Sequence, residues 1–193
     1  EDVDGAADVL RRADMIVLQL EVPLETVYYT LRFARERGIR TILNPAPAQP
    51  LDLPKAGAAD YVIPNETEAE ALSGMPVRSL EDARACAPRL LERGLRRVIV
   101  TLGANGALCA GEDGVRHVPA FQVPSVDTTG AGDAFIGSLA CFLAAGCEEL
   151  EAISRANLYA ALSTMSAGTQ KSFVTRERFQ AEWDASRGRQ VFQ

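Results

Sequence analysis

The sequence predicts an α/β sandwich built on a mostly parallel sheet and forming one domain over residues 1–193. Three observations carry that expectation. Up to Thr101, apolar runs of strand length alternate with longer segments whose apolar residues recur at helical spacing. After the stretch around Gly130, helical segments close the chain. A length of 193 residues with 47% hydrophobic residues is enough to bury a substantial core.

Taken in order, Ala6 to Arg12 reads as a short helix and Met15-Ile16-Val17-Leu18-Gln19-Leu20 as a buried strand. Glu21 follows at once. Ligands of open parallel sheets gather at the carboxyl ends of strands, so Glu21 is a candidate for binding substrate hydroxyls; a loop carboxylate ahead of Pro23 explains it equally well. Leu24 to Arg37 carries Leu24, Val27, Tyr28, Leu31 and Ala34 on one helix face, and Gly38 stops it. The strand Arg40 to Asn44, running into Pro45-Ala46-Pro47-Ala48, completes a right-handed βαβ unit. Asp60 to Ile63 is a third strand, and Pro64-Asn65-Glu66-Thr67-Glu68 follows it. Asn65 and Glu68 have the spacing of a capping box, and a carboxylate at a strand end can also hold magnesium through water.

Ser79 opens a helix over Leu80 to Arg93, closed by Gly94, and the strand Arg97 to Thr101 leads into Leu102-Gly103-Ala104-Asn105-Gly106. That loop fits close approach of backbone to nucleotide phosphates, or a plain turn. Ala107 to Ala110 and Val115 to Val118 read as a hairpin, with the sole histidine, His117, as an ordinary strand residue. Long and short helices, Glu148 to Met165 and Arg176 to Trp183, end the chain.

The net charge of −6 argues against nucleic acid or an anionic membrane as the main partner, because both reward basic patches. Arg93, Arg96 and Arg97 read as solvated charges at a helix end and in a loop. Cys86, Cys109, Cys141 and Cys147 form no C-x-x-C pair and are expected to be buried free thiols in a reducing compartment. No run is long enough to span a bilayer and no basic signal start is present, so a soluble cytoplasmic protein is expected.

The chemistry concentrates in Asp127-Thr128-Thr129-Gly130-Ala131-Gly132-Asp133, which runs into the apolar segment Ala134 to Leu143. Two closely spaced glycines at a helix start present bare N–H groups, and the positive end of the helix dipole adds to their pull on an anion. Asp133 within such a phosphate cradle is placed to take a proton from an attacking hydroxyl. The simplest competing reading is a capped turn, with Asp127 or Thr129 as the cap. The stretch is neither a dinucleotide fingerprint nor a P-loop, lacking a third glycine at Phe135 and any Gly-Lys-Ser/Thr ending.

Leu18-Gln19-Leu20-Glu21, Asn44-Pro45-Ala46-Pro47-Ala48, Asn65-Glu66-Thr67-Glu68, Thr101-Leu102-Gly103, Val126 to Phe135 and Gly168-Thr169-Gln170 occur in one order along the chain. Together they resemble the ribokinase branch of the PfkB carbohydrate kinase family. The resemblance implies a ribokinase-like three-layer α/β/α sandwich and ATP-dependent phosphorylation of a sugar's primary hydroxyl. D-ribose is the expected substrate, with fructose, a nucleoside or a 2-keto-3-deoxy sugar acid as alternatives. On this resemblance Asp133 is the catalytic base, and the Gly130, Ala131 and Gly132 amides form the anion hole. Asn65 and Glu68 orient phosphates and hydrated Mg2+. Thr101, Gly103, Gly106 and Asn157 line the nucleotide, and Glu21 contacts the sugar. Asp127, Thr129, Ser163, Ser166, Gly168 and Ser172 match positions that hold a monovalent cation, K+. Met165-Ser166-Ala167 and Lys171 depart from the pattern usual around Gly168. The family's N-terminal portion, with most sugar contacts and the lid through which members commonly form homodimers, has no counterpart before Glu1. A truncated, non-catalytic nucleotide-binding module is therefore the expectation that competes with a sugar kinase.

Overall fold

The computed structural model describes residues 2–186. Two short helices, α1 (Asp2–Gly5) and α2 (Ala7–Leu10), lead into β1 (Met15–Leu18), and α3 (Leu24–Arg35) connects it to β2 (Arg40–Leu43). α4 (Leu53–Ala56) precedes β3 (Tyr61–Val62), while α5 (Glu66–Ser73) and α6 (Leu80–Glu92) separate β3 from β4 (Val98–Thr101). A single turn, Gly103–Asn105, precedes β5 (Ala107–Gly111) and β6 (Gly114–Val118); α7 (Ala131–Ala144), α8 (Glu149–Ser163) and α9 (Arg176–Ser186) follow. The strands lie in the order β1-β2-β3-β4-β5-β6. β1 to β4 are parallel, with Met15 opposite Arg40, Ile42 opposite Tyr61 and Val62 opposite Val98.

The chain divides into two compact units, residues up to Thr101 with Leu108–Val115, and Leu102–Ala107 with the residues from Arg116 onward. In the first, α3 turns Val27, Tyr28, Leu31 and Ala34 inward, as its apolar spacing predicts, while Leu24 is only half-buried and Phe33, outside that stripe, is buried as well. Phe33 and Ala34 pack with Ile16 and Ile39, and Val3, Ala7, Leu10 and Leu18 cover that cluster. Leu31, Ile42, Leu43, Ile63, Leu90 and Ile99 are fully buried; each stabilises the fold by roughly 1.5–3 kcal/mol relative to an exposed position. Gly57 allows a backbone contact no other residue would, since a Cβ there would lie 2.0 Å from the Gly94 carbonyl oxygen.

In the second unit α7 packs along α8. Leu158, Leu162, Phe179 and Trp183 form a cluster under Phe121, Phe142 and Tyr159. The Phe142 and Phe179 rings lie 5.3 Å apart. The Arg155 guanidinium sits 4.8 Å from the Trp183 ring and is held by Glu151 at 2.7 Å.

Several expectations are corrected. The predicted helix from Ala6 to Arg12 is the shorter α2, preceded by α1, which was not predicted; β1 to β4 are one or two residues shorter than their predicted runs, and β5 and β6 each one residue longer. α4 was not predicted: it has only four residues, too few to show a period, and rests on an Asp52 cap and a proline in its first turn. Cys141 is exposed and Cys147 half-buried, because they fall off the inward face of α7 and in the loop after it; Cys86 and Cys109 are buried. Arg93 and Arg96 are exposed, as expected, and Arg97 is half-buried, but each also has a partner: Arg93 donates to the Leu72 carbonyl, Arg96 to Asp60 at 3.3 Å, and Arg97 to Asp113. Among the described residues, no helix is long and apolar enough to cross a membrane.

Candidate active site

In the first unit the candidate residues gather where β2, β3 and β4 end. Asn65 accepts the Glu68 N–H at 2.9 Å, and Glu68 Oε2 accepts the Asn65 N–H at 2.9 Å, so the capping box is formed in full. Asn65 Nδ2 also donates to Glu68 Oε1 at 2.9 Å. The Thr101 N–H donates to the Pro64 carbonyl at 2.9 Å, and Asn65 pairs with Thr101 across a parallel bridge. Glu68 is buried, and that burial raises its pKa against the lowering effect of hydrogen bonds from Asn65 and Asn44. Glu21 is exposed in the bend after β1.

In the second unit Gly130 adopts φ +79 and precedes α7 without a side-chain cap. Its left-handed conformation suits glycine, and a Cβ there would approach Thr169 Cγ2 to 3.3 Å. The Gly132 N–H has no acceptor among the described residues, and nothing lies within 4 Å of a Cβ built on it. Gly132 and Asp133 are both exposed in the first turn. An open amide, a helix dipole and a carboxylate thus share one turn, as binding an anion beside a proton acceptor requires.

Asp127 fixes the approach to that turn. Its Oδ1 accepts the Thr129 N–H at 2.9 Å and its Oδ2 the Gly168 N–H at 3.0 Å. These donors, Gly168 first, pull its pKa down to about 2. The Val126 and Asp127 amides both donate to the Thr164 carbonyl, at 2.7 and 3.0 Å. The segment before α7 is therefore stitched to the segment after α8.

Asn157 and Gly106 serve the backbone around residues 118–120. Asn157 is buried in α8 and its Nδ2 donates to the Val118 and Pro119 carbonyls at 3.0 and 3.2 Å. A Cβ on Gly106, at φ +86, would stand 2.2 Å from the Val118 oxygen. Gly103, at φ +52, opens the adjoining turn, and His117 Nε2 lies 2.6 Å from the Asn105 carbonyl oxygen. His117 is thus more than a strand residue; it ties β6 to that turn. Asn44 was missed by sequence reasoning beyond its place at a strand end. A polar residue closing an apolar strand just before Pro45 is the signal that could have marked it.

The donors fit two kinds of cation differently. No cluster of three or more His, Cys, Asp or Glu side chains that could hold a metal ion occurs among the described residues. Glu68 Oε1, with one donor, keeps lone-pair capacity for a water of hydrated magnesium. Around Asp127, the Ser163 and Ser172 hydroxyls are buried and donate to the Ala160 and Thr169 carbonyls, so their oxygens remain acceptors. Ser166 and Gly168 are exposed. A monovalent cation there would share the Asp127 carboxylate with the Gly168 N–H.

Known proteins place these features in a lineage. The chain is 48% identical over 180 residues to a deoxyribokinase of Salmonella typhi, covering 93% of this chain and 59% of that protein. It is 41% identical to a mouse ribokinase, covering 90% of this chain and 55% of that one. The fold matches a ribokinase from Thermotoga maritima with a TM-score of 0.81 at 35% identity, covering 92% of this chain and 59% of that one. It also matches an Arabidopsis thaliana ribokinase complexed with ribose and ATP, with a TM-score of 0.87 at 25% identity, covering 92% and 58%. The chain thus spans about three fifths of the length of such relatives. Residues 3–176 match the pfkB family carbohydrate kinases, and with the α/β fold and parallel sheet in place the chain belongs to that family.

Proposed function

We propose that the chain is the nucleotide-binding and catalytic portion of a pentose kinase that transfers the γ-phosphoryl group of ATP to a sugar's primary hydroxyl. The observation that carries this reading is the first turn of α7, where the open Gly132 amide and the exposed Asp133 carboxylate stand side by side. Asp133 takes the hydroxyl proton as the sugar oxygen bonds to the γ-phosphorus and the bond to the departing ADP breaks. The Gly130 and Gly132 amides offset the charge on the transferring group, joined by that of Ala131 once it leaves the Thr128 carbonyl, to which it donates at 3.1 Å. Glu68 and Asn65 would hold hydrated magnesium, which supplies charge neutralisation on the phosphates. Thr101, Gly103, Gly106 and Asn157 shape the nucleotide site, and Glu21 meets the sugar. Asp127 and Thr129 before α7, with Ser163 at the end of α8 and Ser166, Gly168 and Ser172 after it, would take potassium and thereby order the anion hole.

Between pentoses, the 48% identity to a deoxyribokinase favours 2-deoxy-D-ribose over the ribose that the motifs suggest. A second reading, a nucleotide-binding module without turnover, draws on the first-placed strand β1, where Val17 is 42% exposed. The deciding experiment measures ADP release from magnesium ATP by the 193-residue chain with 2-deoxyribose, ribose or neither, with and without potassium. Pentose-dependent release that Asp133→Asn reduces by roughly 10²–10⁴-fold is expected. Nucleotide binding with no pentose-dependent release would overturn the kinase reading in favour of the binding module.

A further inference from the structure

Asn44 closes β2 beside the Asn65–Glu68 pair, and none of the roles above employs it. Its backbone N–H donates to the Leu18 carbonyl at 2.9 Å. Its side-chain Nδ2 donates to the Ile63 carbonyl at 3.0 Å and reaches Glu68 Oε2 at 3.4 Å. The two ends of the amide are fixed by chemistry, because a carbonyl and a carboxylate both accept and must face the NH2 group. Oδ1 consequently has no donor among the described residues, although Asn44 is only 7% exposed. It is not sealed off either, since Trp183 Nε1 is the one enclosed side-chain polar atom without a partner among the described residues. A nearly buried amide oxygen that lacks a protein donor yet touches solvent is suited to a water held in place by something else.

We infer that Asn44 is a positioning residue for hydrated magnesium, its NH2 group steadying the Glu68 carboxylate while its Oδ1 accepts a hydrogen bond from a water of the ion's shell. The inference rests on the reading of Glu68 given under Proposed function. Magnesium gives up its waters reluctantly, so a site that holds it through water needs several oriented acceptors in the outer shell. An amide supplies one beside Glu68 without adding a second negative charge at 3.4 Å. An aspartate would add that charge and lose the donors to Ile63 and Glu68.

The test is ADP affinity by calorimetry over a series of magnesium concentrations, and in EDTA, for the wild-type chain, Asn44→Ala and Glu68→Gln. For Asn44→Ala the magnesium concentration that gives half of the tightening is expected to rise roughly 10-fold, with affinity in EDTA unchanged. A purely structural role would instead weaken binding equally with and without magnesium, or leave the magnesium series unmoved, and either result overturns the inference. Because Asn44→Ala removes a tie between β2 and β3, a second measurement uses the wild-type chain alone. Solvent exchange of the Asn44 side-chain NH2 protons, followed by NMR, is expected to slow with ADP and magnesium and not with ADP and EDTA. Equal exchange in both overturns the inference. Should Glu68→Gln lose its magnesium response while Asn44→Ala keeps it, this inference alone fails. Wild-type ADP binding indifferent to magnesium would remove the reading of Glu68 as well.

Discussion

Asp127 shows how a single carboxylate can organise a loop. Both of its oxygens are committed to backbone N–H groups, one two residues ahead and one forty-one residues on. Its folded pKa of about 2 lies below the unfolded carboxylate value near 3.9. The sign follows: its contribution to stability is present above about pH 4 and is lost as the pH falls through about 2. Thermal melts from pH 2 to 6 are expected to show a gap between the wild type and Asp127→Asn that narrows below pH 4. An unchanged gap would mean the carboxylate is not the clasp. Asp127 was legible in the sequence only as a member of a motif. Its partner Gly168 lies too far along the chain for any spacing rule to join the two, and the same is true of Asn44 and Glu68. By contrast Asn65 and Glu68, three residues apart, could be read directly as a capping box.

At the level of elements, helix starts and tight turns carry both the fold and the candidate chemistry. Replacing Asn65 by alanine removes the N-cap of α5 and is expected to destabilise the first unit by about 1 kcal/mol in urea unfolding. Asn65→Ser, which restores an acceptor at the cap, is expected to recover most of that loss while leaving the Asn65 Nδ2 contact to Glu68 unmade. Gly106→Ala is expected to be more damaging, because a methyl group would collide with the Val118 carbonyl and the backbone would be strained at φ +86. A cost of roughly 1–3 kcal/mol, read as a lowered unfolding midpoint, is the expected outcome. Gly130→Ala meets Thr169 less severely, at 3.3 Å, so its φ of +79 is the dominant penalty. Helix α3 could be read from its apolar stripe because its buried face repeats. α4 could not, since one turn has no period and Asp52 and Pro54 become a helix start only once Leu53 and Ala56 are buried.

For the molecule as a whole, the alternation of strands and helices made the parallel sheet legible, because each βαβ connection imposes both an order and a spacing on the apolar runs. The division into two compact units was not legible. Its boundary runs through the β5–β6 hairpin, and neither a linker nor a change of composition marks it. Trp183, the only tryptophan, lies in the aromatic cluster of the second unit, so its fluorescence reports that unit alone. ADP with magnesium, at about 100 times its dissociation constant, is expected to raise stability by about 2.7 kcal/mol if the folded chain binds it and the unfolded chain does not. Denaturant titrations followed by that fluorescence would show the midpoint unmoved if the second unit takes no part in binding.

The clasp at Asp127 also has an evolutionary consequence. It grips Gly168 by its peptide N–H, a group that every amino acid but proline possesses. Side chains at residues 165–167 and 171 can therefore vary without removing that donor. Comparing side chains along that segment would register divergence where the geometry has been retained. At Gly168 itself proline would erase the donor and any other residue would be strained at a φ of +95, so the clasp is guarded by that one glycine and by the peptide group rather than by the side chains around it.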